Sequence, residues 1–267
     1  MSVKPIKPGD KVVLADIDPD DEGEWKGKKE EGKAEFTRLC KQLDELQEIL
    51  YAEHKHKVLI VIQALDTAGK DGTIRSVFEG VNPQGVKVAS FKAPSQEEKD
   101  HDYLWRVHAR MPASGEMVLF NRSHYEDVLV VRVHQLVPED VWKRRYDQIN
   151  NFERMLAEEG TTIRKIFLHI SKDEQKARLQ DRIDTPRKQW KFNPADLKER
   201  ELWSDYMKAY EEALSRTSKK WAPWYVIPSN HNWYRNLCVA QIIVETLKGL
   251  KLAYPKPQVD VNQIKIE

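Results

Sequence analysis

The sequence lacks the features that mark a secreted, zinc-binding or membrane-embedded protein. Its only two cysteines, Cys40 and Cys238, lie in apolar helical patterns rather than at metal-ligand spacings, so we interpret both as core residues and expect no zinc site. No window approaches the ~18 consecutive apolar residues of a membrane span, and the first 14 residues contain no apolar stretch of signal-peptide length. We therefore expect a cytoplasmic protein with no membrane partner.

An excess of one charge sign is also missing. The 44 lysines and arginines are balanced by 43 aspartates and glutamates, which leaves a net charge of +1. Proteins that coat nucleic acid normally carry a wide basic excess, so no nucleic-acid partner is expected. Charged residues nevertheless make up 33% of the chain, above the globular average of about 25%. Any site for a polyanion must therefore come from local segregation of charge.

Helical and strand-like apolar patterns alternate along the chain. Strands are predicted at 58–62, 86–91, 117–120, 163–170 and 224–227. Helices are predicted at 36–54, 74–80, 138–158, 194–216 and 232–253, and after two capping boxes that begin at Ser95 and Ser171. This alternation predicts an α/β fold, a three-layer sandwich with a mostly parallel sheet. No repeat or linker divides it, so we expect one domain over 1–267, with an irregular surface arm at 1–32 and a tail at 255–267.

A glycine-bearing turn, ALDTAGKDGT at 64–73, follows a buried strand and precedes a helix, which is the context of a P-loop. Backbone N–H groups of such a turn and the positive end of the next helix face a phosphate group, and Lys70 adds a mobile cation. The set predicted here to contact phosphate or nucleotide is Ala68, Gly69, Lys70, Asp71, Gly72 and Thr73. The alternative is an ordinary strand-to-helix turn that happens to contain Gly-Lys.

The turn departs from the usual G-x-x-x-x-G-K-S/T pattern at two positions. Ala64 stands in place of the first glycine, and Asp71 stands where a magnesium-binding hydroxyl is usual. Without that hydroxyl, a carboxylate is expected to hold the metal, and Asp66 is the nearest candidate.

A polar segment, Asn121 to Asp127, follows the strand at 117–120, where P-loop proteins place a Walker B carboxylate. Here that position is an amide, Asn121. The next residue, Arg122, is predicted to place a guanidinium on the oxygens of a transferred phosphate. Glu126 follows in the same loop. For His124 and Asp127, a structural role in a polar turn is at least as well supported as a functional one.

Basic residues are concentrated in residues 172–200. Arg178 and Arg182 lie four residues apart and therefore share one face of a helix. Basic runs are usually solvated helix faces, but in P-loop kinases a basic segment late in the chain closes over the phosphates and excludes water. The segment is therefore predicted to be a helical lid.

Together, ALDTAGKDGT, VLFNRSHYED, ISKDEQKARLQDRIDTPRKQWK and APWYVIP resemble the family-2 polyphosphate kinases, from about residue 33 to residue 254. The resemblance implies a P-loop kinase core like that of thymidylate kinase, dependence on Mg²⁺ with Mn²⁺ as an alternative, and a homo-oligomer such as a tetramer. It also implies that Asp66 lies between the metal and the acceptor phosphates. Lys70 and Arg122 would grip the transferred phosphates, with Arg178 and Arg182 in the lid.

One departure from the family narrows the substrate. Members restricted to one type of acceptor mostly read F-D-R-S-W-Y-N-R, whereas this chain has Asn121 for the aspartate and Glu126 for the asparagine. This resembles the class III subgroup, whose members accept both AMP and ADP. The resemblance implies reversible transfer of the terminal phosphoryl group of inorganic polyphosphate to AMP and ADP, which forms ADP and ATP. Two alternatives are an ATP-dependent nucleoside monophosphate kinase and a non-catalytic P-loop module that binds polyphosphate or RNA.

Overall fold

The computed structural model describes residues 3–23, 25–259, 261, 264 and 266. The strands are β1 (Lys57–Ala64), β2 (Val86–Ser90), β3 (Met117–Asn121), β4 (Thr161–His169) and β5 (Trp224–Pro228). The α-helices are α1 (Lys29–Glu53), α2 (Lys70–Val77), α3 (Gln96–Asp100), α4 (Trp105–His108), α5 (Val130–Val133), α6 (Glu139–Glu158), α7 (Lys172–Asp184), α8 (Ala195–Glu201), α9 (Trp203–Thr217) and α10 (Asn232–Gly249). Short 3₁₀ helices lie at Leu14–Asp16, His124–Asp127 and Pro186–Lys191.

The five strands form one parallel sheet in the order β2-β3-β1-β4-β5, with the phosphate-loop strand β1 at its centre. β1 is buried along almost its whole length, as a continuously apolar strand covered on both faces should be. After β1, the chain forms β2 and β3, which lie to one side of β1 within the sheet. It then forms β4 and β5, which lie to the other side of β1. Such a reversal opens a crevice at the carboxyl ends of the strands, where α/β proteins bind ligands.

Helices cover both faces of the sheet, which confirms the predicted three layers. On β4 the side chain of Arg164 donates to Thr246 of α10, while the neighbouring Lys165 donates to Glu153 of α6. Because successive strand residues point to opposite faces, α10 and α6 lie on opposite sides of the sheet. Helices α1 and α2 pack with α10, and α9 packs with α6.

Several predicted helix boundaries were wrong. Helix α2 begins at Lys70 rather than at residue 74, so the polar residues after Gly69 form its first turn. The helix predicted over 194–216 is broken at Leu202 into α8 and α9.

The second capping box is incomplete, because Ser171 Oγ accepts from the Glu174 N–H while the Ser171 N–H donates to Asn230 Oδ1. The first box, Ser95 with Glu98, is confirmed.

The amino-terminal segment is more than a surface arm. Leu14 is buried in the core, and α1 begins at Lys29, within the segment predicted to be irregular. The Ile6 N–H donates to the carbonyl of Trp224 at 2.8 Å, and Ser218 Oγ donates to the Ile6 carbonyl at 2.7 Å. The segment therefore lies along the edge strand β5.

None of the helices in the described residues combines the length and the apolar character needed to cross a bilayer.

Candidate active site

The turn after β1 has the backbone of a phosphate-binding loop. Thr67 and Gly69 adopt positive φ angles of 63° and 103°, and Gly69 is the N-cap of α2. A non-glycine residue at positive φ is uncommon and is found preferentially at functional sites. The first turn of α2 follows directly. The first N–H groups of a helix have no partner within that helix, and this arrangement favours bound anions.

Lys70 is folded back over this loop. Its Nζ donates to the carbonyls of Ala64 and Leu65, at 2.8 Å and 3.2 Å. Burial, and secondarily the nearby Arg122 guanidinium, lowers the pKa of Lys70. Within the described residues, the hydrogen bonds of the Lys70 ammonium group are to neutral carbonyls, which hold it at the phosphate loop.

Arg122, at the carboxyl end of β3, bridges two carboxylates. Its Nη2 donates to Asp66 Oδ1 at 2.8 Å, and its Nη1 lies 3.6 Å from Glu126 Oε2. Although burial acts against it, the charges of Glu126 and Asp66 raise the pKa of Arg122, so the guanidinium stays charged. Arg122 also has a positive φ, of 62°. It is therefore, after Thr67, a second non-glycine residue with a strained backbone at this site.

Asn121 lies opposite the first turn of α2. Its Nδ2 donates to Asp71 Oδ1 at 2.6 Å. An aspartate at position 121 would bring two carboxylates together at this point, whereas the amide makes a favourable contact. Asn121 and Asp71 therefore act as a pair that joins the end of β3 to α2.

The two predicted lid arginines, both on α7, have different surroundings. Arg178 donates to the carbonyls of Thr67, Ser229 and Asn230, at 3.1, 2.7 and 2.8 Å, and so it ties α7 to the phosphate loop. Arg182 pairs with Asp196 at 3.1 Å, which joins α7 to α8.

These side chains surround one cavity of about 990 Å³, lined by eight basic and four acidic residues. Nine of the twelve predicted site residues line it: Asp66, Gly69, Lys70, Asp71, Gly72, Asn121, Arg122, Arg178 and Arg182. The cavity confirms that segments distant in sequence converge on one place. The chemical role of each residue stays a prediction.

Three predicted site residues do not line this cavity. Ala68 is fully buried, and buried Thr73 donates to Asn236 Oδ1 of α10 at 3.4 Å, because both lie on the inner side of the loop and its helix. Glu126 faces a small adjoining cavity that Asp66 and Arg122 also line, and its Oε1 accepts from Gln63.

Sequence reasoning missed Arg235, which lines the main cavity from α10 and is only 3% exposed. It donates to the Ala68 carbonyl at 3.1 Å and to Asn232 Oδ1 at 2.7 Å. The available signal was a polar set, Asn232, Arg235 and Asn236, at helical spacing in an otherwise apolar helix. The pattern of α10 as a whole indicated a core helix, which hid that set.

A buried ionic cluster supports the loop that carries Arg122. Lys165 Nζ donates to Glu153 Oε2 at 2.6 Å and to Tyr125 Oη at 2.7 Å, and Tyr125 Oη in turn donates to Glu153 Oε1 at 2.9 Å. His124 Nε2 lies 3.2 Å from the same carboxylate. His124 and Tyr125 are thus core residues, which favours the structural interpretation of His124.

A divalent cation at this site would need ligands beyond the side chains of the protein. Among the described residues, no three His, Cys, Asp or Glu side chains are grouped to hold a metal by themselves. Mg²⁺ characteristically binds through one or two carboxylates together with substrate phosphates and water. Asp66, whose side chain lines the cavity and is 26% exposed, fits that mode of binding.

A central parallel strand that ends in a glycine-bearing loop, with arginines from other elements around it, defines a phosphate-binding protein of the P-loop type. The family model of Polyphosphate kinase 2 (PPK2) matches residues 26–254. The chain therefore belongs to the polyphosphate kinase 2 family.

Relatives and a solved structure agree with this assignment. The chain is 57% identical over 262 residues to the AMP/ADP-polyphosphate phosphotransferase of Meiothermus ruber, with 98% of each chain covered. It is 46% identical to the ADP-polyphosphate phosphotransferase of Rhodopseudomonas palustris, with 88% of each covered. The crystal structure of polyphosphate kinase 2 from Arthrobacter aurescens TC1 superposes with a TM-score of 0.93 at 46% identity, covering 96% of this chain and 92% of that one.

Proposed function

We propose that this protein transfers the terminal phosphoryl group of inorganic polyphosphate to AMP and to ADP, reversibly, forming ADP and ATP. The observation that carries the proposal is the convergence of Lys70, Arg122 and Arg178 on one cavity rich in basic residues. The relative named an AMP/ADP-polyphosphate phosphotransferase, 57% identical over nearly the full length of both chains, supports the choice of donor and acceptors.

The proposed reaction is an in-line displacement at phosphorus. A terminal phosphate oxygen of AMP or ADP attacks the end phosphorus of the chain. A new P–O bond forms as the bond to the next phosphate breaks, and polyphosphate leaves one unit shorter. No strong general base is required, because phosphate oxygens are ionised at neutral pH. Catalysis then consists mainly of positioning and charge stabilisation.

Each side chain has a role that follows from its place. Lys70, Arg122 and Arg178 stabilise charge on the transferred group, and Arg182 contributes to the cover over it. Asp66 aligns the acceptor and would hold Mg²⁺, or Mn²⁺ in its place, together with the phosphates. When bound, the ion would neutralise phosphate charge. Arg122 would exchange part of its contact with Asp66 and Glu126 for the phosphate oxygens.

A coupled assay for ATP tests the proposal. The protein is supplied with AMP, Mg²⁺ and polyphosphate, and polyphosphate is the only phosphoryl donor. We expect ADP to form first and ATP to follow. ADP formed from AMP with ATP but not with polyphosphate as donor would indicate a nucleoside monophosphate kinase instead. Binding of polyphosphate without turnover would indicate a non-catalytic module. The cytoplasmic location, the homo-oligomer and the segment 172–200 as a lid stay predictions.

A further inference from the structure

Four arginines line the main cavity, and three of them are matched by carboxylates. Arg122 pairs with Asp66, Arg178 with Glu174 at 2.8 Å, and Arg182 with Asp196. For the fourth, Arg235, no ion pair occurs within the described part of the chain, although it is the most deeply buried of the four. A buried charge is normally paired, so this exception needs an explanation.

Among the residues that the structure describes, every hydrogen-bond acceptor of Arg235 is neutral. Its guanidinium donates to the Ala68 carbonyl and to Asn232 Oδ1, and its Nε and Nη2 donate to Asn236 Oδ1 at 3.2 and 3.0 Å. These hydrogen bonds satisfy most of the donors but leave the positive charge without a counter-charge. Burial, together with the nearby Arg178, lowers the pKa of Arg235 to about 9, so the group remains protonated at neutral pH.

The charged guanidinium of Arg235 lies against the phosphate loop. A side chain at Gly69 would place its Cβ 2.0 Å from Arg235 Nη1, so the guanidinium lies directly against the loop backbone. In a trans peptide the C=O and N–H point in opposite directions. By holding the Ala68 carbonyl, Arg235 turns the N–H of Gly69 to the other side of the loop. Gly69 also lines the cavity.

We propose that Arg235 is a positioning residue for the polyphosphate donor: it orients the loop peptide at Ala68 and Gly69, and its unmatched charge is neutralised by the phosphate chain. The inference rests on the proposed function. It identifies α10 as a third element, beside α2 and α7, that takes part in donor binding.

An isosteric change of a neighbouring residue tests the charge directly. In Asn236→Asp, Arg235 stays in place but gains a carboxylate partner, and Asn236 is not among the residues that line the cavity. We expect the affinity for tripolyphosphate to fall about tenfold or more. Isothermal titration calorimetry with the magnesium complex of tripolyphosphate measures this affinity. We expect the thermal unfolding temperature to stay the same or rise.

Further variants separate charge from structure. Arg235→Gln should lose affinity as Asn236→Asp does and raise KM for polyphosphate more than it lowers kcat. Arg235→Lys, which keeps the charge, should recover most of the loss. The matched control is Arg164→Gln. Among the described residues, Arg164 also donates to neutral acceptors alone, Thr246 Oγ1 and the Ile163 carbonyl, but it does not line the cavity. It should bind tripolyphosphate like the wild type.

The failure of this inference can be distinguished from the failure of the proposed function. If wild type binds tripolyphosphate and folded Asn236→Asp binds it equally well, the inference is wrong and the proposed function stands. Equal losses in Arg235→Lys and Arg235→Gln would likewise contradict a role for the charge. If the wild type itself binds no tripolyphosphate, the proposed function fails and the inference fails with it.

Discussion

Single residues at the carboxyl ends of β1 and β3 set the chemistry proposed for this protein. Lys70, Asp66 and Arg122 come from two strand ends that the parallel register places next to each other, with Ile62 opposite Asn121. The charged groups of these residues contact one another or backbone carbonyls. These contacts hold the three side chains beside the phosphate loop.

Lys70→Ala should lower kcat for ATP formation at least about 100-fold, the usual effect of removing one charge contact to a transition state. Lys57→Ala is the matched control, because Lys57 stands at the opposite end of β1 and donates to the Glu159 carbonyl. Steady-state kinetics with ADP and polyphosphate provide the measurement. A variant with near-normal turnover would remove Lys70 from the mechanism.

The pair Asn121 and Glu126 is expected to govern the choice of acceptor. In the double variant Asn121→Asp with Glu126→Asn, a carboxylate replaces the amide that contacts Asp71, and Arg122 loses one of its two acidic partners. We expect the ratio of AMP activity to ADP activity to change. Asp127→Asn is a control in the same loop, because Asp127 pairs with Arg145. An unchanged ratio in the double variant would place acceptor selection elsewhere.

At the scale of elements, the cluster of Lys165 and Glu153 joins β4, α6 and the loop after β3. Both side chains are fully buried. Burial lowers the pKa of Lys165 to about 8, against the attraction of Glu153, and the Lys165 ammonium in turn lowers the pKa of Glu153 although burial opposes this. The pair is therefore ionised at neutral pH and held by hydrogen bonds as well as by charge.

Lys165→Met should lower the free energy of unfolding by about 3–5 kcal/mol, because it leaves the Glu153 carboxylate buried without its ammonium partner. The double variant Lys165→Met with Glu153→Gln should recover a large part of this loss. Urea denaturation measures both. A single variant that is as stable as the wild type would show that the pair contributes nothing to folding.

The cluster also predicts a pH dependence on the acid side. The pKa of Glu153 is lower in the folded than in the unfolded chain, so its contribution is complete above about pH 4.5 and is lost as the pH falls through the folded pKa. Glu153→Gln should remove this part of the dependence in an acid denaturation series.

At the scale of the whole molecule, the sheet and the phosphate loop could be predicted from sequence, whereas the place of α10 at the cavity was missed. All five strands were predicted to within two residues of their ends. Three of them, β1, β3 and β4, are apolar runs too short for helices. The early start of α2 was missed, since the first turn is polar and carries no periodicity. The break at Leu202 depends on tertiary packing, which no local pattern encodes. The polar set that contains Arg235 was hidden by the apolar pattern of α10 as a whole.

The near-zero net charge implies that electrostatic attraction of the donor is local to the cavity. Raising the salt concentration from about 0.05 to 0.5 M should therefore raise KM for polyphosphate, as the charge contacts of a long polyanion are screened. KM for AMP should rise less, because AMP carries only one phosphate. Equal increases for the two substrates would contradict a donor site concentrated in the basic cavity.

The hydrogen bond from Ile6 to Trp224 has a practical consequence for anyone shortening this chain. The family match begins at residue 26, so a truncation there would seem harmless to catalysis, yet it would strip the cover from β5. Uncovered strand edges invite pairing with another copy. Such a shortened protein would be expected to precipitate during concentration or storage.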